Sequence, residues 1–394
     1  MTLPATLPDA PWRHRAGLDR LTAALDPAQA RFVGGAVRDT LLGLDVTDID
    51  IATRHDPTDV IDRLDAARIR AIPTGIAHGT ITAISDGTPV EVTTLRRDVS
   101  TDGRHAVVAF TDDWREDAAR RDFTMNALYA DPVNGEIFDY FGGLEDLAAG
   151  RVRFIGDPLQ RIAEDHLRIL RFFRFHARFG DTIDDAGLDA CTARANDLMA
   201  LSRERIATEL LKLLVAKHAV PVVALMATRG IFRAVLPEID AAGAARLATL
   251  AEREAAAGIA PDPIRRLAAT IPPAAAEAVG ARLKLSTANR KRLIAAGEGV
   301  GNEGPRALAY RHGPVVAVDR LLLAGEDIAP IIGWEAPAFP LSGGALVERG
   351  VTKGPEVAAL RRRIETQWIA EGFPNAARVG EMADAAVAAL IRSP

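Results

Sequence analysis

A single cysteine, Cys191, occurs among the 394 residues. This excludes an intramolecular disulfide framework and a zinc site built on several thiolates, and it suits a reducing cytoplasm. Long apolar runs are also missing. No stretch approaches the ~18 residues of a membrane span, so an integral membrane protein is not expected, and MTLPATLPDAPWRHRAG at the start has no apolar signal core. Net positive charge is absent: 48 basic against 53 acidic residues give −5, which argues against general coating of nucleic acid. There is no low-complexity tract and no clear short-period repeat. What is present is 48% hydrophobic and 26% charged residues, the composition of a folded protein. The length points to two or three domains.

Patterning changes along the chain. Short β-rich runs (RFVGG, DIDIAT, GTITAI, PVEVTTL, TMNALYAD and EIFDY) fall within residues 31–140, separated by Gly, Pro and Asp, and predict a small sheet with one or two helices. From about Asp157 the period becomes helical, over 158–179, 203–217, 219–229, 243–257 and 262–270, with breaks at Gly180, Gly230 and Pro237. A Gly/Pro-dense stretch at 325–355 precedes a last helical pair at 355–371 and 376–392. The expected class is α+β: a mixed-sheet head followed by an all-helical remainder.

Three features in the head carry chemistry. Gly34-Gly35 follows the strand pattern Phe32-Val33 and opens a helical one containing Arg38. Such a pair is a plain tight turn, or it lets backbone N–H groups and Arg38 meet a triphosphate. In Asp48-Ile49-Asp50-Ile51 the alternation puts both aspartates on one strand face, about 7 Å apart, and both isoleucines in the core. That face is either solvated or able to bracket Mg²⁺. In Pro89-Val90-Glu91-Val92, Glu91 is a solvated edge residue or a third carboxylate completing a two-ion site.

The glycine pair, the spacer and the Asp-x-Asp strand resemble the DNA polymerase β-like nucleotidyltransferase superfamily. VGGAVRDTLLGLDVTDIDIAT, VEVTTLRRD, RRDFTMNALYAD, RIAEDHLRILRFFRFHARFG and SRERIATELLKLL occur here in the order seen in class II CCA-adding enzymes and bacterial poly(A) polymerases, across residues 32–214. GALVERGVTKGPEVAALRRRIE resembles the family's C-terminal region, less specifically. The resemblance implies an N-terminal segment (1–30), a nucleotidyltransferase head (31–140), a helical neck (141–217), a body (218–325) and a tRNA-binding tail (326–394). It implies a tRNA 3′ end as acceptor, CTP and ATP as donors, two Mg²⁺ ions and a cytoplasmic location, with no protein partner.

By the same resemblance, Asp48 and Asp50 are metal-binding carboxylates and Glu91 is the matching third. Gly34, Gly35 and Arg38 fall on the triphosphate-binding motif. Arg121, Asp122 and Asn126 fall on one tied to ribose binding and head–neck coupling. Read on its own, that stretch is a helix end running into a strand, with Arg120-Arg121-Asp122 as a surface ion-pair cluster. Residues 97–119 correspond to a loop that helps exchange CTP for ATP, and their own composition suggests a mobile segment. Some relatives carry a metal phosphohydrolase domain, but the one His-Asp pair here is His55-Asp56, and His218 and His312 stand alone after residue 215.

In the helical stretch at 158–179, Ile162, Ile169, Leu170, Phe173 and Ala177 fall on one apolar stripe, with Arg161, Asp165, Arg168 and Phe172 beside it. Asp165 and Arg168 are spaced for an ordinary i,i+3 salt bridge. They also fit a sharper role. Cytosine and adenine both place an amino donor beside a ring-nitrogen acceptor, which a carboxylate next to a guanidinium would match. Guanine and uracil reverse that order. This agrees with the family's base-reading EDxxR residues. Arg171 is a candidate triphosphate contact, and Arg174 and Arg178 either meet RNA phosphates or solvate the helix. Five arginines against two acids in residues 161–178 form a local basic track, which answers the objection raised by the net charge. Against CCA addition stand poly(A) synthesis, partial CC or A addition, and an RNA-binding protein with an inactive head.

Overall fold

A computed structural model describes residues 3–101, 106–352 and 354–392. The chain divides into two compact units, residues 1–244 with 282–284, and residues 245–281 with 285–394.

The first unit opens with α1 (Leu18–Ala24), β1 (Ala30–Val33), α2 (Gly35–Leu41), β2 (Asp50–Thr53) and α3 (Pro57–Ala66). Then follow β3 (Arg70–Gly75), β4 (Thr80–Ser85), β5 (Thr88–Thr94), β6 (Arg96–Thr101), β7 (Ala106–Phe110) and α4 (Trp114–Ala119). β8 (Leu128–Ala130), β9 (Ile137–Asp139) and α5 (Gly143–Ala148) complete the sheet region. Seven strands form one mixed sheet in the order β3-β4-β5-β2-β1-β8-β9. The β2–β5 pair is parallel and sets Asp50 directly beside Glu91, so both carboxylates leave the same face. Ile49, Ile51, Val90 and Val92 are buried beneath, as the alternation predicts.

The sheet differs from expectation at three places. β3, RAIPTG, was not anticipated. It contains Pro73 and lies at the sheet edge, the position where proline costs no ladder hydrogen bond. β2 begins at Asp50, so Asp48 lies in the exposed approach to the strand rather than within it. In place of an unstructured loop at 97–119, the described residues form the two-stranded β6–β7 ribbon and α4. The part of that expected loop at 102–105 lies outside the described residues.

Helices α6 (Pro158–Glu164), α7 (Leu167–Phe179), α8 (Asp185–Ala193), α9 (Arg203–Leu214) and α10 (Ala219–Thr228) follow in the same unit. The expected single helix at 158–179 is two. Asp157 caps α6 by accepting from Leu159 N–H at 2.8 Å, and Asp165 breaks the run in an extended conformation (φ −149°, ψ 107°). This break re-phases the faces. Phe172, expected beside Asp165, is fully buried and stacks on Phe154 at 5.6 Å.

In the second unit, α11 (Ala241–Ala256, whose first turn belongs to unit 1) and α12 (Pro263–Thr270) lead into α13 (Ala276–Arg282) and α14 (Thr287–Gly297). Further on come α15 (Pro305–His312), α16 (Pro314–Ala324), α17 (Gly343–Val347), α18 (Gly354–Ala370) and α19 (Ala376–Arg392). Trp368 anchors the apolar core of its C-terminal helices. Glu254, 1% exposed, accepts from Arg265 Nε at 2.7 Å and Arg266 Nε at 2.8 Å. Removing one member of a buried ion cluster leaves the others uncompensated. Glu254→Ala is therefore expected to destabilise this unit by about 3–5 kcal/mol, measured by denaturant unfolding. A loss below about 1 kcal/mol would contradict the assignment.

Candidate active site

A cleft of about 380 Å³ in the first unit is lined by Gly34, Gly35, Arg38, Asp50, Arg120, Arg121, Asp122, Asn126, Asp165, Arg168, Arg171 and Phe175. Ten of the fourteen residues singled out from the sequence thus face one space. Asp48, Glu91, Arg174 and Arg178 do not line it, and Arg120 and Phe175 were not assigned to a site.

 Gly34 lines the cleft through a backbone at φ 66° and ψ −118° that only glycine adopts without strain. A Cβ there would stand 3.5 Å from both Arg121 Nη1 and the Asn126 carbonyl.

The wall of the cleft is a chain of ion pairs. Asp122 accepts from Arg171 Nη2 at 2.6 Å and Nε at 2.7 Å, and from Asn126 Nδ2 at 2.9 Å. Asn126 Oδ1 in turn accepts from Arg38 Nη1. Arg38 also gives Nε and Nη2 to Asp39, each at 2.7 Å, and Asp39 pairs with Arg178 at 3.2 Å. Burial opposes ionisation of Asp122, but Arg171 and the Asn126 amide hold its carboxyl below the ordinary value. Burial likewise draws the Arg38 guanidinium down. The expected helix end running into a strand is present, with a 3₁₀ turn at Thr124–Asn126 between α4 and β8. The Arg120-Arg121-Asp122 cluster, however, is half-buried or buried rather than a surface feature.

Asp165 and Arg168 both line the cleft but do not pair with each other. Asp165 Oδ2 accepts from Arg205 at 2.7 Å, whereas Arg168 Nη1 donates to Glu164 at 2.7 Å and Nη2 to the Arg120 carbonyl at 3.0 Å. The break at Asp165 is the cause, since it removes the continuous helix that an i,i+3 bridge requires. Arg205 leaves no local signature in the sequence because its pair with Asp165 is long-range, whereas Glu164 and Asp117 stand at helical spacing from Arg168 and from Arg120 and Arg121, a signal that could have found them. Arg174 is taken by Glu209 at 2.5 Å and Arg178 by Asp39.

At the sheet end of the cleft, burial, Glu91 and Asp48 push the Asp50 carboxyl up to about 6, against the pull of Arg121. Excess negative charge of this kind fits a divalent cation. Among the described residues no three His, Cys, Asp or Glu groups form a ready-made ligand cluster. Two aspartates nevertheless suit an ion that takes one or two carboxylates and fills its shell with water and phosphate oxygens.

A mixed sheet presenting paired carboxylates beside an arginine-lined cleft defines a nucleotidyltransferase. Residues 30–153 match the family described as "Poly A polymerase head domain", and residues 182–242 match "Probable RNA and SrmB- binding site of polymerase A". The mouse protein "CCA tRNA nucleotidyltransferase 1, mitochondrial" is 36% identical over 388 residues, covering 91% of this chain and 87% of its own. The "CCA-adding enzyme" of Anoxybacillus flavithermus is 40% identical over 213 residues, 54% of this chain and 52% of its own. The crystal structure of the Bacillus stearothermophilus CCA-adding enzyme in complex with CTP superposes with a TM-score of 0.69 at 26% identity, covering 90% of this chain and 93% of that one. The chain belongs to the CCA tRNA nucleotidyltransferase family, which implies a divalent metal. Among the described residues no helix is long and apolar enough to cross a membrane.

The raised Asp50 value fixes a sign. A carboxyl that protonates more readily when folded works against folding once ionised, so its cost is absent below about pH 4 and complete above about pH 6. In metal-free protein, Asp50→Asn is therefore expected to raise stability by on the order of 1–2 kcal/mol at about pH 8 and by nothing near pH 3.5. Denaturant unfolding with chelator at both pH values measures this, and equal gains at both would contradict it.

Proposed function

We propose that the chain adds or repairs the 3′-terminal CCA of tRNA, using CTP and ATP and no nucleic-acid template. The observation that carries this reading is one cleft holding Asp50 at its sheet end and the Asp165–Arg168 couple on its helical wall. Similarity over most of the chain to proteins named for CCA addition favours it over poly(A) synthesis.

In the reaction the tRNA 3′-hydroxyl attacks the α-phosphate of the nucleotide in line. The new oxygen–phosphorus bond forms as the bond to the β-phosphate bridging oxygen breaks, and pyrophosphate leaves. Asp48 and Asp50 would hold the metal, two Mg²⁺ ions in this reading, with Glu91 as the third carboxylate. When bound, the ions would activate the hydroxyl and neutralise charge on the phosphates. Gly34 and Gly35 let the triphosphate approach the backbone, and Arg171, already aimed by Asp122, supplies positive charge. Arg38 acts by fixing Asn126, which with Arg121 and Asp122 receives the ribose. Arg174 and Arg178 have acidic partners in this structure, so RNA contact would require exchanging them.

Base choice follows from the separate partners of Asp165 and Arg168. Each is balanced by a third residue, so an acceptor edge and a donor edge stand side by side without neutralising one another. Cytosine or adenine satisfies both, and a wrong base leaves polar groups unpaired at about 1–3 kcal/mol each. The division into neck, body and tail, with tRNA held by the tail, belongs to this reading. So does a cytoplasmic location, which the lone buried Cys191 favours.

The test supplies pure protein with tRNAs lacking one, two or three terminal nucleotides, and with CTP and ATP singly and together. Completion to CCA and then arrest is expected. Addition that stops after CC, that supplies only the final A, or that runs to long A-tails on generic RNA would contradict it. Asp48→Ala is expected to abolish every addition, whereas activity near wild type would remove that residue from the site. Asp165→Ala is expected to reduce preference for CTP and ATP over UTP and GTP by about tenfold or more. Unchanged selectivity in the same elongation assay would refute the base-reading role.

A further inference from the structure

Behind the cleft, and outside its lining, lies a carboxylate that the reaction does not use. Asp117 is 1% exposed and is the fourth residue of α4. Its Oδ1 accepts from Arg120 Nη2 at 2.7 Å and Nε at 2.8 Å, and from the Arg96 backbone N–H at 3.3 Å. Its Oδ2 accepts from the Tyr129 hydroxyl at 2.6 Å and from Arg121 Nη2 at 3.1 Å. The Tyr129 hydroxyl also accepts from Arg121 Nε at 3.2 Å. Five donors therefore saturate one buried carboxylate, and the two arginine side chains among them, Arg120 and Arg121, line the cleft.

We infer that Asp117 is a positioning residue: with Tyr129 as its brace, it aims Arg120 and Arg121 into the nucleotide cleft. The inference rests on the reading of that cleft as the nucleotide site. Without Asp117, Arg120 and Arg121 are adjacent like charges with no buried counter-ion, and each would turn toward water. The Arg120 carbonyl would move with them, and it is one of the anchors of Arg168. Burial alone would favour a neutral Asp117, yet Arg121 and Arg120 hold it well below the ordinary carboxylate range, so it remains the anion that this geometry needs. The Arg96 contact adds that the first residue of the β6–β7 ribbon shares the same anchor.

The test is a binding cycle read by calorimetry with CTP and Mg²⁺. Asp117→Asn keeps the side-chain volume but puts an amide donor where an acceptor is needed, and it should weaken CTP binding about tenfold. The Arg120→Gln/Arg121→Gln variant should weaken it at least as much. Adding Asp117→Asn to that variant should change little further, because the first residue acts through the other two. Tyr129→Phe removes the brace without opening a cavity and should weaken binding in the same direction by a smaller factor. It carries the cycle if Asp117→Asn fails to fold.

Additive losses in the combined variant would overturn the inference, since Asp117 would then act on stability or on another group. So would normal CTP affinity in folded Asp117→Asn, or in Tyr129→Phe where the aspartate variant does not fold, while the arginine variant binds poorly. Normal affinity in the arginine variant itself would instead overturn the reading of the cleft.

Discussion

The pairing of Asp122 with Arg171 is the contact on which the cleft depends. Asp122 stands at the turn between α4 and β8, and Arg171 stands on α7, so this pair ties the sheet region to the helix that carries Arg168. From it the chain of contacts continues through Asn126 and Arg38 to Asp39 and Arg178, returning to the same helix two turns later. Phe175 fits inside this loop, with the Arg38 and Arg171 guanidinium groups each 5.2 Å from its ring centroid. Buried ion pairs of this density contribute little net stability compared with apolar packing. What they provide here is a fixed spacing of donors and acceptors.

In the proposed function, that spacing would let one site serve two bases of different size. The proposed discriminating groups are the Asp165 carboxylate and the Arg168 guanidinium, each restrained by a partner outside the pair. A purine and a pyrimidine that share the amino-donor, nitrogen-acceptor order present the same two atoms to them. At the sheet end of the cleft stands Asp50, which parallel pairing of β2 with β5 sets beside Glu91. In the proposed function, acceptor and base choice would reside in the helices, and the reaction at the sheet.

Much of this was legible in the sequence because it is written locally. Strand alternation placed Ile49, Ile51, Val90 and Val92 in the core, and the glycine pair marked the strand-to-helix turn whose φ of 66° requires Gly34. The tail helices followed from periodicity, to within a residue or two. What stayed hidden depends on tertiary partners. Periodicity carried α7 backward through Asp165, whose extended conformation is set by its own cap and by Arg205. The edge strand β3 was masked by Pro73, and the half-turn offset of Phe172 followed from the same helix break. Asp117 reads as one more acid in a helix, because its five donors arrive from three separate segments.

The most direct measurement is a crystal structure of the protein with bound CTP. The account predicts the cytosine amino group within hydrogen-bond distance of the Asp165 carboxylate, the ring nitrogen facing the Arg168 guanidinium, and the triphosphate running toward Asp50. A cytosine seated without touching either side chain, or a nucleotide bound outside this cleft, would contradict it.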